Sequence, residues 1–355
     1  MLLTGACGDP LVVVGDTPGL LRIVAGVPDS AGFELTASSV TTLLNHPLGL
    51  AIGLDGTLYI ADTDNARILA VATNGRIQAL IDHRTRREEP RLRRPTGLAL
   101  RGSTALIVTD PAAERVWRVS LDGGALTPVA GTGSRGTAPD TVADATAADL
   151  DTPTGVSATA GGFIYFTEAN AHRVRRVGRD GSLITVAGIG AGGFGGDGGP
   201  GREARFLRPS GLALHDGTLY IADTGNQRVR ALDLTADVVR TIAGTGVRSF
   251  GGDDAPATEA TLNGPTAVAA SDDGTRLIIA DAGNGRVRAV DLDRGTIRTL
   301  AGTGDETFNG DLLEAGATAL SQPSGLALSR LGLLFISDTG HQVVRRMAIG
   351  FITAN

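Results

Sequence analysis

Residues 220–230 read Tyr-Ile-Ala-Asp-Thr-Gly-Asn-Gln-Arg-Val-Arg, and variants of this phrase recur along the chain. The acidic residue of the phrase occurs six times, at Asp62, Asp110, Glu168, Asp223, Asp281 and Asp338. A second phrase, Pro-(Ser/Thr)-Gly-Leu-Ala in its commonest form, begins 14 to 16 residues before each acid, with prolines at Pro47, Pro95, Pro153, Pro209, Pro265 and Pro323. Self-similarity at a nearly constant period is the signature of a repeat architecture, so the sequence predicts six similar units.

Each unit reads as four short strands. The first is the apolar run after the proline, such as residues 211–214, and a hairpin turn such as Asp216-Gly217 follows it. The second strand is rich in β-branched and aromatic residues, the third carries Arg-Val-Arg, and the fourth carries Thr-Val-Ala. No segment shows a sustained helical period, so the sequence predicts an all-β fold, a six-bladed β-propeller of four-stranded blades.

The two ends of the chain indicate how the ring closes. The last unit has strands one to three, which end near Val343–Ala348, and an orphan fourth strand lies at Leu20–Ala25. Pairing of this N-terminal strand with the last blade would remove exposed sheet edges, and we expect that closure. The alternative uses Ile349–Ile352 as the last strand.

The six units resemble those of the NHL-repeat β-propellers, whose repeat reads Pro-x-Gly-(Ile/Val)-Ala and then Tyr-Val-Ala-Asp-Thr-x-Asn-x-Arg-Ile. They are most similar to the bacterial variant in which Val-Ala-Gly-Thr-Gly is followed by Gly-Phe-x-Gly-Asp-Gly; residues 193–200 here read Gly-Phe-Gly-Gly-Asp-Gly-Gly-Pro. The resemblance covers residues 20–348. It implies the propeller fold and no single function, because the family includes binding scaffolds, receptor-like domains and a few enzymes.

Composition excludes several classes of function. The chain has 355 residues and no Lys, and its 32 Arg against 38 acids give a formal net charge of −6. A nucleic-acid binder is not expected at this charge, and Schiff-base or P-loop lysine chemistry is excluded. A single Cys rules out an internal disulfide.

The six repeated acids are interpreted as structural. An Asp can accept backbone N–H bonds two residues on, the Gly of the phrase suits a positive φ, and the Arg can pair with the Asp. The phrase is therefore repeated because the turn is repeated. A catalytic site should instead break the symmetry of the repeat.

Five hydroxyl residues directly follow the repeat prolines and begin the innermost strands: Thr96, Thr154, Ser210, Thr266 and Ser324. We expect them to converge at the mouth of the central channel. Arg94, Arg208 and His46 precede three of the prolines and could add charge to the same rim. The hypothesis is a site for a polar or anionic small ligand. The alternative is that each hydroxyl only caps its own turn.

The sequence predicts no resident metal. His46, His172 and His341 share one inferred face, but His172 and His341 belong to units on opposite sides of the ring, too far apart for one zinc ion. Calcium held through Asp197, Asp253 or Asp311 is the one cofactor hypothesis that the Gly-rich loops allow. The Phe of these loops is expected to anchor between blades.

The N-terminus gives a clue to location. Residues 3–7 read Leu-Thr-Gly-Ala-Cys, which resembles a bacterial lipoprotein cleavage site. We therefore divide the chain into a lipobox-like N-terminus and tether, residues 1–18, and a single propeller, residues 19–355. Lipidation of Cys7 would make the protein an exported cell-envelope lipoprotein, with plain secretion as a variant. A chance Cys in a cytoplasmic protein is the alternative.

These observations predict a monomeric binding or interaction scaffold that presents its loops and channel mouth to a protein, a glycan or a small polar ligand. Nucleic acid is not an expected partner, and a membrane is one only through a lipid anchor. The Arg-rich segment 82–94 is a docking patch for an acidic partner or a solvated, internally paired loop. The alternative function is a propeller lyase, lactonase or hydrolase with a metal or an acid–base pair at the channel mouth. Such an enzyme should place at least three unlike ionisable groups within about 5 Å of one another.

Overall fold

Each unit of the repeat folds as one antiparallel sheet, and the six sheets form the blades of a propeller. The computed structural model describes residues 19–82 and 90–349. Within these residues three sheets have four strands and three have five. The described part of the chain contains no helix that is long and apolar enough to cross a membrane.

The strands follow the chain from blade 1 to blade 6. Blade 1 has β2 (Pro47–Ile52), β3 (Leu58–Asp62), β4 (Arg67–Val71) and β5 (Ile77–Asp82). Blade 2 has β6 (Leu98–Arg101), β7 (Ala105–Asp110), β8 (Arg115–Ser120) and β9 (Leu126–Ala130). Blade 3 has β10 (Thr141–Val142), β11 (Pro153–Ala158), β12 (Ile164–Glu168), β13 (Arg173–Val177) and β14 (Leu183–Ala187).

The second half repeats this order. Blade 4 has β15 (Leu212–His215), β16 (Thr218–Asp223), β17 (Arg228–Asp233) and β18 (Val238–Ala243). Blade 5 has β19 (Ala255–Pro256), β20 (Pro265–Ala270), β21 (Arg276–Asp281), β22 (Arg286–Asp291) and β23 (Thr296–Ala301). Blade 6 has β24 (Leu313–Glu314), β25 (Pro323–Leu328), β26 (Leu333–Asp338), β27 (Val343–Ala348) and the N-terminal β1 (Leu20–Ala25). Short 3-10 helices lie in the loops, at Ser39–Thr41, Thr63–Asn65, Ala145–Ala147, Gly201–Glu203, Thr224–Asn226, Ala257–Glu259, Ala282–Asn284, Ala315–Ala317 and Thr339–His341.

The ring closes as predicted, through the N-terminal strand. β1 pairs antiparallel with β27, with Arg22 opposite Arg346, and its start also pairs with β24. The closure covers the outer edge of β27 and joins the two ends of the chain in one sheet. Of the alternative strand at 349–352, residues 350–352 lie outside the described residues.

The hydrophobic core lies between neighbouring blades. Six clusters of buried residues form, one at each junction, and each combines side chains of two adjacent sheets. The second strand of a blade is covered on both sides, and every residue of β7 is buried. This explains why the second strands are apolar almost without interruption, where a sheet with one wet face would alternate.

In five of the six inner strands the second residue after the repeat proline is Gly, because the blades approach closely there. A Cβ on Gly325 would overlap the carbonyl oxygen of Leu48 in the next blade, and one on Gly155 would overlap that of Ser210. Blade 5 has Ala267 at this place. The Gly of the proline phrase therefore sets the spacing of the inner strands around the channel.

Candidate binding site at the channel mouth

The inner strands of all six blades surround a cavity of about 250 Å³ on the channel axis. Its outer layer is the hydroxyl ring, which consists of Thr96, Thr154, Ser210, Thr266 and Ser324, with Leu48 in the sixth place. The second layer is Gly49, Gly97, Gly155, Gly211, Ala267 and Gly325. The third layer is Leu50, Leu98, Val156, Leu212, Val268 and Leu326. The structure thus brings together the five hydroxyls that the sequence placed at the mouth, above an apolar floor.

The cavity has no ionisable side chain. All eighteen of its lining residues lie in the described part of the chain, and each is apolar, Gly, Ser or Thr. Acid–base chemistry needs a titratable group within hydrogen-bond reach of the reacting atom. The cavity walls alone therefore supply shape and hydrogen bonds.

Most of the ring hydroxyls form hydrogen bonds with groups outside their own turns, so the interpretation that each hydroxyl only caps its own turn is wrong. Ser324 Oγ does cap its own turn and donates to the carbonyl of Gln322 at 2.7 Å. Ser210 Oγ lies 2.8 Å from the carbonyl of Thr266, and Thr266 Oγ1 donates to that of Pro323 at 3.2 Å, both across a blade junction. The hydroxyls therefore help to hold neighbouring blades together.

The repeated acids are buried hubs of a structural network, as expected, although their partners differ from the expectation. Asp62 accepts the N–H of Asn45 at 2.7 Å, Arg67 Nε at 2.6 Å and Asn65 Nδ2 at 2.8 Å. The backbone partner precedes the proline and is not two residues on. The acid therefore ties the loop that enters a blade to the turn between the second and third strands, and both lie on the face of the channel mouth.

Burial is the largest influence on the pKa of Asp223 and of its equivalents in blades 1, 2, 3 and 5, and it raises the pKa of each. It raises the pKa of Asp223 to about 6, against the opposing effects of its hydrogen bonds from Asn226 and Leu207 and of Arg230. In blade 2, Trp117 stands at the position that the buried Arg230 holds in blade 4. There Asp110 accepts three backbone N–H groups, those of Arg93, Arg94 and Ala113.

A second set of contacts, the cross-blade clasps, was missed at the sequence level. In each clasp a side chain four residues after the acid accepts the backbone N–H of the residue before the next blade's proline. The four clasps are Glu114 to Thr152 at 2.8 Å, His172 to Arg208 at 3.1 Å, Gln227 to Gly264 at 2.5 Å, and Gln342 to His46 at 2.7 Å. A polar side chain at this fixed offset was the available signal. Glu114 and His172, which stand where blades 4 and 6 have Gln227 and Gln342, are thereby explained as structural.

The three charged rim candidates lie beside the hydroxyl ring and do not line the cavity. Arg94 contacts Asp64 through Nη2 at 2.7 Å, and His46 Nδ1 lies 3.3 Å from the other oxygen of the same carboxylate. Arg208 is exposed, and its backbone enters the clasp with His172. Blades 1 and 2 thus carry a small cluster of unlike ionisable groups, His46, Asp64 and Arg94, next to Leu48.

The pKa values of His341 and His172 are shifted in opposite directions. His341 Nδ1 contacts Asp338 at 2.8 Å, and its Nε2 contacts the carbonyl of Glu306 at 2.9 Å. Burial opposes protonation of His341, but the bond to Asp338 and the charge of this residue outweigh it, so the pKa is raised. Burial and the charge of Arg208 lower the pKa of His172, which suits the neutral acceptor that the clasp requires.

The Phe side chains of two Gly-rich loops stack on Arg side chains at the surface, so the prediction that they anchor between blades is wrong. Phe194 is 45% exposed, and the Arg228 guanidinium lies 3.8 Å from its ring centre. Phe250 repeats this arrangement on Arg286.

The three acids of the calcium hypothesis already have partners. Asp197 pairs with buried Arg230 at 2.5 Å, Asp253 pairs with Arg288 at 2.7 Å, and Asp311 accepts the N–H of Ile23. No group of three or more His, Cys, Asp or Glu that could hold a metal occurs in residues 19–82 and 90–349. Cys7 and residues 83–89 of the Arg-rich segment lie outside the described residues.

Comparisons with known proteins agree with this architecture. The family model of the NHL repeat matches residues 206–232. The human NHL repeat-containing protein 2 is 26% identical over 325 residues, 82% of this chain and 44% of its own length. The chain spans less than half of the length of the relatives that it matches.

Two solved structures share the fold. An auxiliary nutrient binding protein from Bacteroides thetaiotaomicron superimposes with a TM-score of 0.67 at 13% identity, covering 92% of this chain and 75% of that one. A gluconolactonase from Xanthomonas campestris superimposes with a TM-score of 0.59 at 17% identity, covering 95% and 99%. The repeat match, the relative and the six blades together show a six-bladed β-propeller that carries an NHL repeat and is similar to NHL repeat-containing proteins.

Proposed function

We propose that this chain is a binding propeller that holds a small polar ligand in the cavity at its channel mouth. The observation that carries the proposal is the lining itself: a ring of five hydroxyls above a floor of Leu and Val, without an ionisable group. Small-molecule sites are concave and mostly apolar, with a few placed polar groups. The nutrient binding protein that shares the fold supports the same class of function as an analogy.

A second candidate function is acid–base catalysis at the edge of the cavity. Three unlike ionisable groups, those of His46, Asp64 and Arg94, lie together there. The Asp64 carboxylate is 3.3 Å from His46 Nδ1 and 2.7 Å from Arg94 Nη2. A gluconolactonase shares the fold. We favour binding because His46 and Arg94 do not line the cavity and the carboxylate of Asp64 is already held by Arg94.

Two matched variants test the proposed site. Leu48→Trp places a large ring in the mouth of the cavity, whereas Leu54→Trp makes the same change at a side chain that is 74% exposed on the hairpin after β2. A panel of neutral, cationic and anionic compounds of up to about ten heavy atoms is titrated against protein with ¹³C-labelled Leu and Val methyl groups. We expect shifts of the third-layer methyls that vanish in Leu48→Trp and persist in Leu54→Trp.

Two results would contradict the proposal. If no compound moves the third-layer methyls, the cavity is not a binding site. If the protein hydrolyses a lactone or ester and His46→Asn abolishes the turnover while Leu48→Trp leaves it intact, the second candidate function replaces the first.

A larger partner is a separate proposal for the loops of the same face. Phe33, Phe194 and Phe250 are 61%, 45% and 40% exposed there, and such rings suit a protein or glycan surface. Glycan-array binding by the wild type that is lost in Phe194→Ser and Phe250→Ser would support a glycan partner. Binding that survives both changes would exclude these loops.

Export with lipidation at Cys7 is also a proposal, carried by residues 3–7. Palmitate labelling that is lost in Cys7→Ser would support the anchor. An unlabelled protein made from a verified start codon would contradict it.

A further inference from the structure

We propose that the channel cavity selects a ligand whose polar end donates hydrogen bonds, such as a primary amine or a diol, and rejects carboxylates and phosphates. The proposal rests on the proposed function, because it names the ligand class of the same cavity. It follows from the direction of each hydrogen bond around the ring, since a hydroxyl has one proton to donate and two lone pairs to accept with.

In blade 2 the ring hydroxyl of Thr96 has its proton committed. Thr109 Oγ1 donates to the carbonyl of Thr154 and accepts the N–H of Gly97 at 2.8 Å. Because Thr109 has no second proton, the proton of Thr96 goes to Thr109 Oγ1 at 3.1 Å, to the carbonyl of Thr154 at 3.3 Å or to that of Thr109 at 3.4 Å. The lone pairs of Thr96 Oγ1 are left for the cavity.

Blade 3 repeats this arrangement. Thr167 Oγ1 donates to the carbonyl of Ser210 at 2.7 Å and accepts the N–H of Gly155 at 2.8 Å. Thr154 Oγ1 lies 2.9 Å from Thr167 Oγ1 and must therefore donate to it.

The other three ring hydroxyls are committed as well. Thr224 Oγ1 donates to the carbonyl of Pro265 at 2.7 Å, so the proton of Ser210 goes either to Thr224 or to the carbonyl of Thr266. Thr266 donates to the carbonyl of Pro323, and Ser324 to that of Gln322.

Backbone N–H groups next to the ring are also committed in blades 2 and 4. The N–H groups of Thr96 and Ser210 donate to Thr109 and Ala222 of their own blades, at 2.8 and 2.9 Å. The N–H of Gly211 donates to the carbonyl of Thr266 at 2.9 Å. The mouth of the cavity therefore offers oxygen lone pairs to a ligand.

An acceptor surface discriminates strongly between ligands. A carboxylate or phosphate at the ring finds no donor among these hydroxyls to replace its lost hydration, which is costly for an anion. A donor head can bond to several of the hydroxyl oxygens, and the third layer together with Leu48 receives an apolar end. At roughly 30 Å³ per water, the volume equals about eight waters, which limits the ligand to a small molecule.

The test uses three probes of similar size: n-butylammonium, butane-1,2-diol and n-butyrate. Each is titrated into wild-type protein while the methyl resonances of the third layer are recorded. We expect saturable shifts with the first two probes and none with butyrate at equal concentration.

Two variants report on the ring itself. Thr266→Val keeps the shape and removes one acceptor, and it should weaken the binding of butylammonium about fivefold. Leu48→Thr adds the sixth hydroxyl to the ring and should strengthen the binding of butylammonium by a similar factor. The test therefore does not depend on a variant that loses a contact between blades.

The outcomes separate this inference from the function on which it rests. Saturable binding of butyrate at the same methyls, equal to or tighter than that of butylammonium, would overturn donor selection and leave the binding cavity intact. If none of the three probes moves these methyls, both the donor selection and the small-ligand cavity are wrong.

Discussion

His341 makes the stability of blade 6 depend on pH. In blade 1 the amide of Asn65 donates to Asp62 at 2.8 Å and to the carbonyl of Gly32 at 2.6 Å. His341 occupies the same place and contacts the same two kinds of acceptor with its two ring nitrogens. A neutral imidazole has only one N–H. The folded protein therefore favours the doubly protonated ring.

The sign and size of the effect follow from these contacts. Asp338 is the acidic group that faces the ring, while the positive charge of Arg345 opposes protonation and the Phe308 ring lies edge-on at 5.5 Å. The pKa is raised above its ordinary value of 6.5, so the stabilisation is fully present below that value and is lost as the pH rises through the folded-state pKa. Deprotonation removes one of the two N–H donors and turns a nitrogen lone pair toward an oxygen acceptor, at a cost of about 1–3 kcal/mol.

Urea unfolding of the wild type and His341→Asn at about pH 5.5 and about pH 8.5 measures this cost. Asn keeps two donors at both pH values. We therefore expect the free energy of unfolding of the wild type to fall by about 1–3 kcal/mol relative to the variant between the two conditions. The acid Asp223 and the neutral His172 titrate in both proteins, so their contributions cancel in the comparison.

His46→Asn is the matched control, because its side chain is 39% exposed and contacts Asp64 at 3.3 Å. It should follow the wild type at both pH values. A constant difference between wild type and His341→Asn across the range, or a pH response that disappears equally in His46→Asn, would refute the assignment of the charge to His341.

Three further changes test the network and the packing. Arg230→Met should lower the free energy of unfolding by about 3–5 kcal/mol, because Asp223 and Asp197 lose a fully buried cation. The control Arg294→Met, at a side chain that is 79% exposed, should change it by under about 0.5 kcal/mol, and equal losses in the two variants would contradict a stabilising role of the buried Arg230. Gly325→Ala should lower the thermal midpoint of unfolding because its Cβ would overlap the carbonyl of Leu48, whereas Gly316→Ala, which has open space around it, should leave the midpoint unchanged. An unchanged midpoint in Gly325→Ala would refute the close approach of the inner strands of blades 6 and 1. Phe194→Leu should cost about 0.5–1 kcal/mol in urea unfolding through the lost contact with Arg228, and a neutral result would show that the stack is not stabilising.

The repeat determined most of what could be predicted. The period located the blades, and the position after each proline located Thr96 and its equivalents at the channel mouth, because equivalent residues of a closed repeat must meet around its axis. The orphan strand at Leu20–Ala25 predicted the closure, since an uncovered edge invites pairing.

The repeat pattern could not predict the contacts between units, because these contacts depend on the backbone conformation of the loops. The clasp of His172 on Arg208 needs a left-handed backbone at both residues, and neither φ value is visible in the sequence. The loop Phe was misplaced for a similar reason, because Phe194 and Arg228 are 34 positions apart in the sequence and meet only when the loop folds over the next blade. His341 stands where blade 1 has Asn65, but its charge depends on the carbonyl of Glu306, which no pattern encodes.

The most direct test of the binding site is a crystal structure of the protein soaked in butane-1,2-diol. We expect density for one diol within the cavity, with a hydroxyl at hydrogen-bond distance from ring oxygens such as those of Thr96 or Thr266. Its carbon chain should point toward Leu98 and Leu212. A cavity without diol, in crystals that bind it at other surfaces, would contradict the central claim that the channel mouth is a ligand site.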